Sequence, residues 1–107
     1  MAHYGFGGIA NNGRVCVCEG IFDALRIGPG AFSILGTNIS PTHYAFLKKA
    51  HEILLWFDNP LHDKAGAKAT AHGLNIFPNA KAISYKEPGD CYPGNKVLEL
   101  VKKWLSE

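Results

Sequence analysis

Four acidic residues of this chain stand where carboxylates can share a cation. Glu19 follows the apolar run Val15-Cys16-Val17-Cys18, and Asp58 follows Ile53-Leu54-Leu55-Trp56-Phe57. Asp63 comes five positions later, and Asp90 closes a loop after Ala82-Ile83-Ser84-Tyr85 that also holds Lys86 and Glu87. Acids gathered in one place repel one another unless a cation neutralises them. A donor set made only of oxygen selects a hard ion, and few carboxylates completed by water suit Mg²⁺ or Mn²⁺. Such an ion binds and polarises phosphate and offsets the charge that develops during an in-line displacement. Lys64, Lys68 and Lys86 add cationic side chains close to these acids in the sequence. Gly20, Gly36, Gly66 and Gly89 leave room for a backbone or a phosphate to come close.

Each residue also has a plainer reading. Asp63 is well placed to cap the helix that follows it, and Asp90 has the chemistry of a turn residue. Lys64 and Lys68 read equally as a solvated helix face, and Lys86 as a surface lysine. Glu19 has less to gain from such a role, because Glu is a poor N-cap. The joint placement of these acids carries more weight than any one of them.

The elements that must position them alternate between strand and helix. Residues 1–13 form a flexible or extended lead-in closed by the turn signal Asn11-Asn12-Gly13. Arg14 to Cys18 has the length and branching of a buried strand. Ile21 to Ile27 follows as a helix with Ile21, Ala24 and Leu25 on one face, stopped by Gly28-Pro29-Gly30. Ala31 to Leu35 is a second strand. Ser40-Pro41 starts a helix that runs to about Ala50. Glu52 to Asp58 is the third strand, Lys64 to about Gly73 an Ala-rich helix, Ala82 to Tyr85 the fourth strand, and Asn95 to Trp104 a closing helix. The pattern predicts an α/β fold of about four mostly parallel strands with helices on both faces. In such sheets, sites form at the carboxyl ends of the strands. Three of the four strand ends deliver acids there.

Composition narrows the classes. The 107 residues fit a single domain over 14–107, and 47% hydrophobic content supplies a core. A net charge of +2 does not by itself announce a nucleic-acid binder. No apolar run is long enough to span a membrane, and the first ten residues lack the layout of a signal peptide. Three cysteines, Cys16, Cys18 and Cys91, favour reduced thiols and a cytoplasmic setting. Cys16 and Cys18 share one face of a strand, where they are badly placed to bond each other. They read as small buried groups, with a zinc site completed by Cys91 and a histidine as the alternative.

At these residues the chain resembles a toprim domain, the metal-binding fold of primases, type IA and II topoisomerases, and some nucleases and recombination proteins. The resemblance covers Val15 to about Tyr92. It rests on a strand followed by Glu19-Gly20 with Asp23 in the next helix, on Asp58 at a strand end with Asp63-Lys64-Ala65-Gly66, and on the later pair Lys86 and Asp90. Leu35-Gly36-Thr37 and Lys86 to Asp90 look most like the primase-type subgroup of phage and bacterial replication proteins. The family separates its two aspartates by two positions, whereas here three further residues intervene. Asn59 or His62 could then take the place of Asp63 as a ligand.

The resemblance implies a compact Rossmann-like fold. In it Glu19 serves as general acid/base, Asp58, Asp63 and Asp90 hold Mg²⁺ or Mn²⁺, Lys86 serves at the phosphate, and Lys64 and Lys68, one helical turn apart, flank its path. It implies nucleic acid (a single-stranded DNA template, or RNA) and nucleotides as partners, and a helicase among neighbouring replication domains. A DNA primase-type nucleotidyltransferase is the first expectation and a metal-dependent nuclease acting on RNA or DNA the second. The third is a non-catalytic regulatory α/β module, since receiver domains also place acids and a lysine at strand ends.

Overall fold

A computed structural model describes residues 5–36, 38–57, 64–83 and 96–107. Along the chain these form β1 (Phe6–Gly7), β2 (Arg14–Cys18), α1 (Ile21–Ile27), β3 (Ala31–Ser33), α2 (Pro41–Leu47), β4 (Glu52–Leu55), α3 (Lys64–Ile76), β5 (Ala80–Ala82) and α4 (Lys96–Ser106). The strands make one sheet in the order β1-β3-β2-β4-β5. β1 pairs antiparallel with β3, and the other pairings are parallel. The expected α/β architecture is present, with a fifth strand, β1, drawn from the segment read as a lead-in.

Side chains alternate across a strand, so β2 feeds both faces of the sheet. Val15 and Val17 enter one core with Phe32, Leu47, Ile53, Leu55, Ala69 and Phe77, which packs α2 and α3 against the sheet. Cys16 and Cys18 enter the other with Ala24, Ile27, Trp56, Leu98, Val101 and Leu105, which packs α1 and α4. Both thiols are buried, in keeping with their reading as small apolar groups, while Cys91 lies outside the described residues. Phe32 is fully buried, and its loss to alanine would cost about 3–5 kcal/mol.

Several boundaries differ from expectation. Helix α3 runs past Gly73 to Ile76. Gly73 sits in it because a Cβ there would lie 2.6 Å from Leu55 Cδ1 and 3.3 Å from Ile39 Cδ1, so packing rather than a helix stop accounts for the glycine. Strand β5 begins at Ala80, two residues early, because the turn before it is fixed by Asn79, whose side-chain amide donates to the Ala50 and His51 carbonyls at 3.0 and 2.9 Å. On α1 the buried residues are Ala24 and Ile27, whereas Ile21 and Leu25, expected to face inward, are exposed. In α2, Ser40 caps as expected: its hydroxyl accepts from the His43 amide, and the His43 ring accepts from the Ser40 amide. That helix ends at Leu47, earlier than Ala50.

β5 forms one margin of the sheet, and its central residue, Lys81, is exposed. Among the described residues no helix is long and apolar enough to cross a membrane.

Candidate active site

The connections out of β2 and β4 diverge. From β2 the chain passes through α1 to β3, on one side of β2; from β4 it passes through α3 to β5, on the opposite side. Adjacent parallel strands whose outgoing connections part in this way leave a crevice at their carboxyl ends, the place where open α/β sheets bind ligands. The β2–β4 register pairs Val17 with Leu55, and the Trp56 amide donates to the Val17 carbonyl at 2.8 Å. Two residues further along each strand, Glu19 and Phe57 reach this edge together. Asp58 is the next residue in the chain.

Glu19 is held by its backbone. The Ser33 hydroxyl, buried within β3, donates to the Glu19 carbonyl at 2.7 Å, and the Gly36 amide donates to the same oxygen at 3.2 Å. Ser33 Oγ also accepts from the Leu35 amide at 3.0 Å. One hydroxyl therefore ties the loop after β3 to the end of β2. Leu35 takes a left-handed conformation, φ 57°, which costs a non-glycine residue about 1–2 kcal/mol. The Ser33 contact is one of the restraints that hold it there. No local sequence pattern marks Ser33, because its partner is a carbonyl fourteen residues away.

Space is open around this carboxyl end. A Cβ at Gly36 would meet nothing within 4 Å, and one at Gly20 would meet only Asp23 Oδ2, at 3.5 Å. Gly66, also read as leaving room for phosphate, is instead buried in α3 and accepts the Thr70 hydroxyl at its carbonyl. Asp23 lies in the first turn of α1, where the helix dipole favours a carboxylate, and pairs with Arg26 at 3.5 Å. It adds an acid close to Glu19 in the chain.

Of the other expected site residues, Lys64 and Lys68 lie exposed on α3 one turn apart, and His72 continues their stripe. Asp58, Asp63, Lys86 and Asp90, together with Asn59 and His62, lie outside the described residues. Among the described residues no three His, Cys, Asp or Glu side chains gather as metal ligands. The fit of the chain to a divalent ion therefore rests on the crevice, on Glu19 at its rim and on the oxygen chemistry of the acids that follow β4 and β5 in the sequence. Among the described residues, one hollow elsewhere is lined by Leu54, Ile83, Val97 and Trp104 and another by Asn12, Gly30 and Lys102. Glu19 lines neither, and the position of the crevice is the better guide to chemistry.

The opposite end of the sheet is built differently. Arg14, the first residue of β2, donates to Glu52 at 3.1 Å, to Glu107 at 2.8 Å and to the Trp104 carbonyl at 2.8 Å. Its guanidinium also lies 5.1 Å from the centre of the Trp104 ring. The hydrogen bonds to Glu107 and then Glu52 raise its pKa above the ordinary guanidinium value. Asn12 adds a bond to the Leu105 carbonyl at 3.1 Å.

No significant match was found among curated proteins or among solved structures. A family model described as Toprim-like matches residues 16–91, from the interior of β2 to beyond β5. That stretch is most of the chain and contains the β2–β4 crevice. The chain therefore belongs to the Toprim-like family, whose domains are in general metal-dependent enzymes of nucleic acids.

Proposed function

We propose that this domain performs Mg²⁺-dependent nucleotidyl transfer of the DNA primase type. The observation that carries the reading is the position of Glu19 at the divergence of β2 and β4, two residues past the Val17–Leu55 pair. Glu19-Gly20 with Asp23, and the sequence Leu35-Gly36-Thr37, give the primase-type flavour. In this reading Glu19 takes the proton of the attacking hydroxyl, whose oxygen bonds to the α-phosphorus of a nucleoside triphosphate as the bond to the β-phosphate oxygen breaks and pyrophosphate leaves. Asp58, Asp63 and Asp90 hold the ion, which when bound supplies charge neutralisation at the phosphate. Lys86 contacts the phosphate, while Lys64 and Lys68 hold the backbone of the nucleic acid. Single-stranded DNA is the template and nucleotides are the substrates, within a replication assembly that includes a helicase, in the cytoplasm.

Primer synthesis on single-stranded templates with Mg²⁺ or Mn²⁺, run in parallel with Glu19→Gln, tests this. The variant should lose about 10²–10⁴-fold in rate, the usual contribution of a general acid/base. Equal synthesis by both proteins would remove Glu19 from the reaction. Labelled RNA or DNA cut by the wild-type chain in the absence of nucleotides, with no primer made, would replace polymer synthesis by hydrolysis.

A further inference from the structure

Helix α1 turns more apolar surface outward than inward. At 100° per residue, Ala24 and Ile27 face the core, and Phe22 lies opposite them between Leu25 and Arg26. Phe22 is 71% exposed and Leu25 57%. On the loop that hydrogen-bonds to the Glu19 carbonyl, Leu35 is 54% exposed and is kept in its left-handed conformation. Large apolar groups kept in water, one of them at a conformational cost, mark a surface that receives something.

We propose that the outer face of α1 is a stacking platform for an unpaired base of single-stranded nucleic acid. Phe22 supplies the ring and Arg26 the cationic flank, beside the phosphate handled at Glu19. The inference rests on the nucleic-acid reading of the site above. Size and charge choose this occupant. Seven residues make a helix about 10 Å long and about 10 Å wide, so its outer face offers on the order of 100 Å². That matches one or two bases and falls far short of the roughly 800 Å² per partner of a stable protein interface. Arg26 stands four residues after Phe22 on the same face, is 34% exposed and pairs with Asp23. An aromatic ring flanked by a guanidinium is the combination that holds bases of any sequence. Phe22 is three residues beyond Glu19 in the chain, which puts the platform on the same connection out of β2 as that acid.

Fluorescence anisotropy of a short labelled oligothymidylate and a matching oligouridylate, titrated with the intact chain, provides the test. Phe22→Ala should bind about 5- to 150-fold more weakly, the range expected when one base–aromatic stack is removed, with an unchanged circular dichroism melting curve. Phe22→Trp should keep the affinity, and its added indole emission, read against the wild-type signal from Trp56 and Trp104, should be quenched as the oligonucleotide binds. Equal binding by wild type and Phe22→Ala, or an indole that ignores bound oligonucleotide, overturns the platform and leaves the catalytic reading standing. No binding by the wild-type chain overturns both. A change from dimer to monomer in Phe22→Ala with oligonucleotide affinity intact reassigns the face to contact between copies and overturns the proposal.

Discussion

The two ends of the sheet answer to different demands. At the amino end, Arg14 satisfies two carboxylates and a carbonyl while lying against an indole, and Asn12 and Asn79 add three more bonds to backbone carbonyls. At the carboxyl end, Glu19 lies at a crevice, Leu35 keeps an unfavourable backbone angle, and Phe22 and Leu25 stay in water. The first end closes the fold and the second leaves groups ready for a ligand. A small domain can carry strain and exposed apolar groups at one end when polar contacts fasten the other.

The sharpest way to break this contrast is to exchange the two phenotypes. Glu19→Gln should lower catalytic rate by about 10²–10⁴-fold and move the melting temperature little, whereas Arg14→Met should do the reverse. The Arg14→Met effect should narrow in high salt, because Glu52 and Glu107 are about half exposed and their attraction to Arg14 is screened. Activity that disappears in Arg14→Met at temperatures where it stays folded would end the separation.

Ser33→Ala should cross the boundary. Removing a buried hydroxyl that serves both the Glu19 carbonyl and the Leu35 amide should destabilise the fold by about 1–3 kcal/mol in urea unfolding. It should also lower kcat at temperatures where the protein is folded, with rescue by Ser33→Thr, since Ser33 positions Glu19 without touching substrate. A drop in stability with kcat intact would assign Ser33 to the fold alone.

The double variant Lys64→Ala/Lys68→Ala should leave stability within about 0.5 kcal/mol. It should reduce the slope of log affinity against log salt for single-stranded nucleic acid by about 1.4, since each phosphate that a lysine no longer neutralises removes about 0.7. An unchanged slope would return α3 to an ordinary solvated face. The smallest effect is expected from Leu35→Asn. Asn tolerates the left-handed region better than Leu, so unfolding free energy should hold steady or rise by up to about 1 kcal/mol. A fall would mean that the Leu35 side chain packs more than its exposure indicates.

Much of the scaffold is readable in the sequence because its signals are local. The unbroken apolar runs at Val15 to Cys18 and Ile53 to Phe57 suit only buried strands in a chain this short, and Ser40-Pro41 carries its own helix start. What escapes a sequence reading depends on distant partners. Gly73 has the look of a stop, yet Leu55 and Ile39 above it are its reason. β1 is two residues beside glycines and exists through its pairing with β3. The inward face of α1 differs from its apolar pattern because a two-turn helix has few core positions, and Ala24 and Ile27 take them while the bulkier Phe22 and Leu25 point away. Of the site, Glu19 is legible from its place after a strand. The divergence of β2 and β4 is not, since it needs the order of strands in space. Asp58, Asp63, Lys86 and Asp90 lie outside the described residues, and their roles are those proposed above.

Strand β5 also shapes how these molecules meet one another. A sheet margin with unpaired amide and carbonyl groups invites a second sheet to add on. β5 offers three residues, and the middle one is Lys81, pointing into solvent. Two copies approaching margin to margin in antiparallel fashion would bring one ammonium group against its twin. The same short, charged border thus opposes the addition of a second sheet at β5.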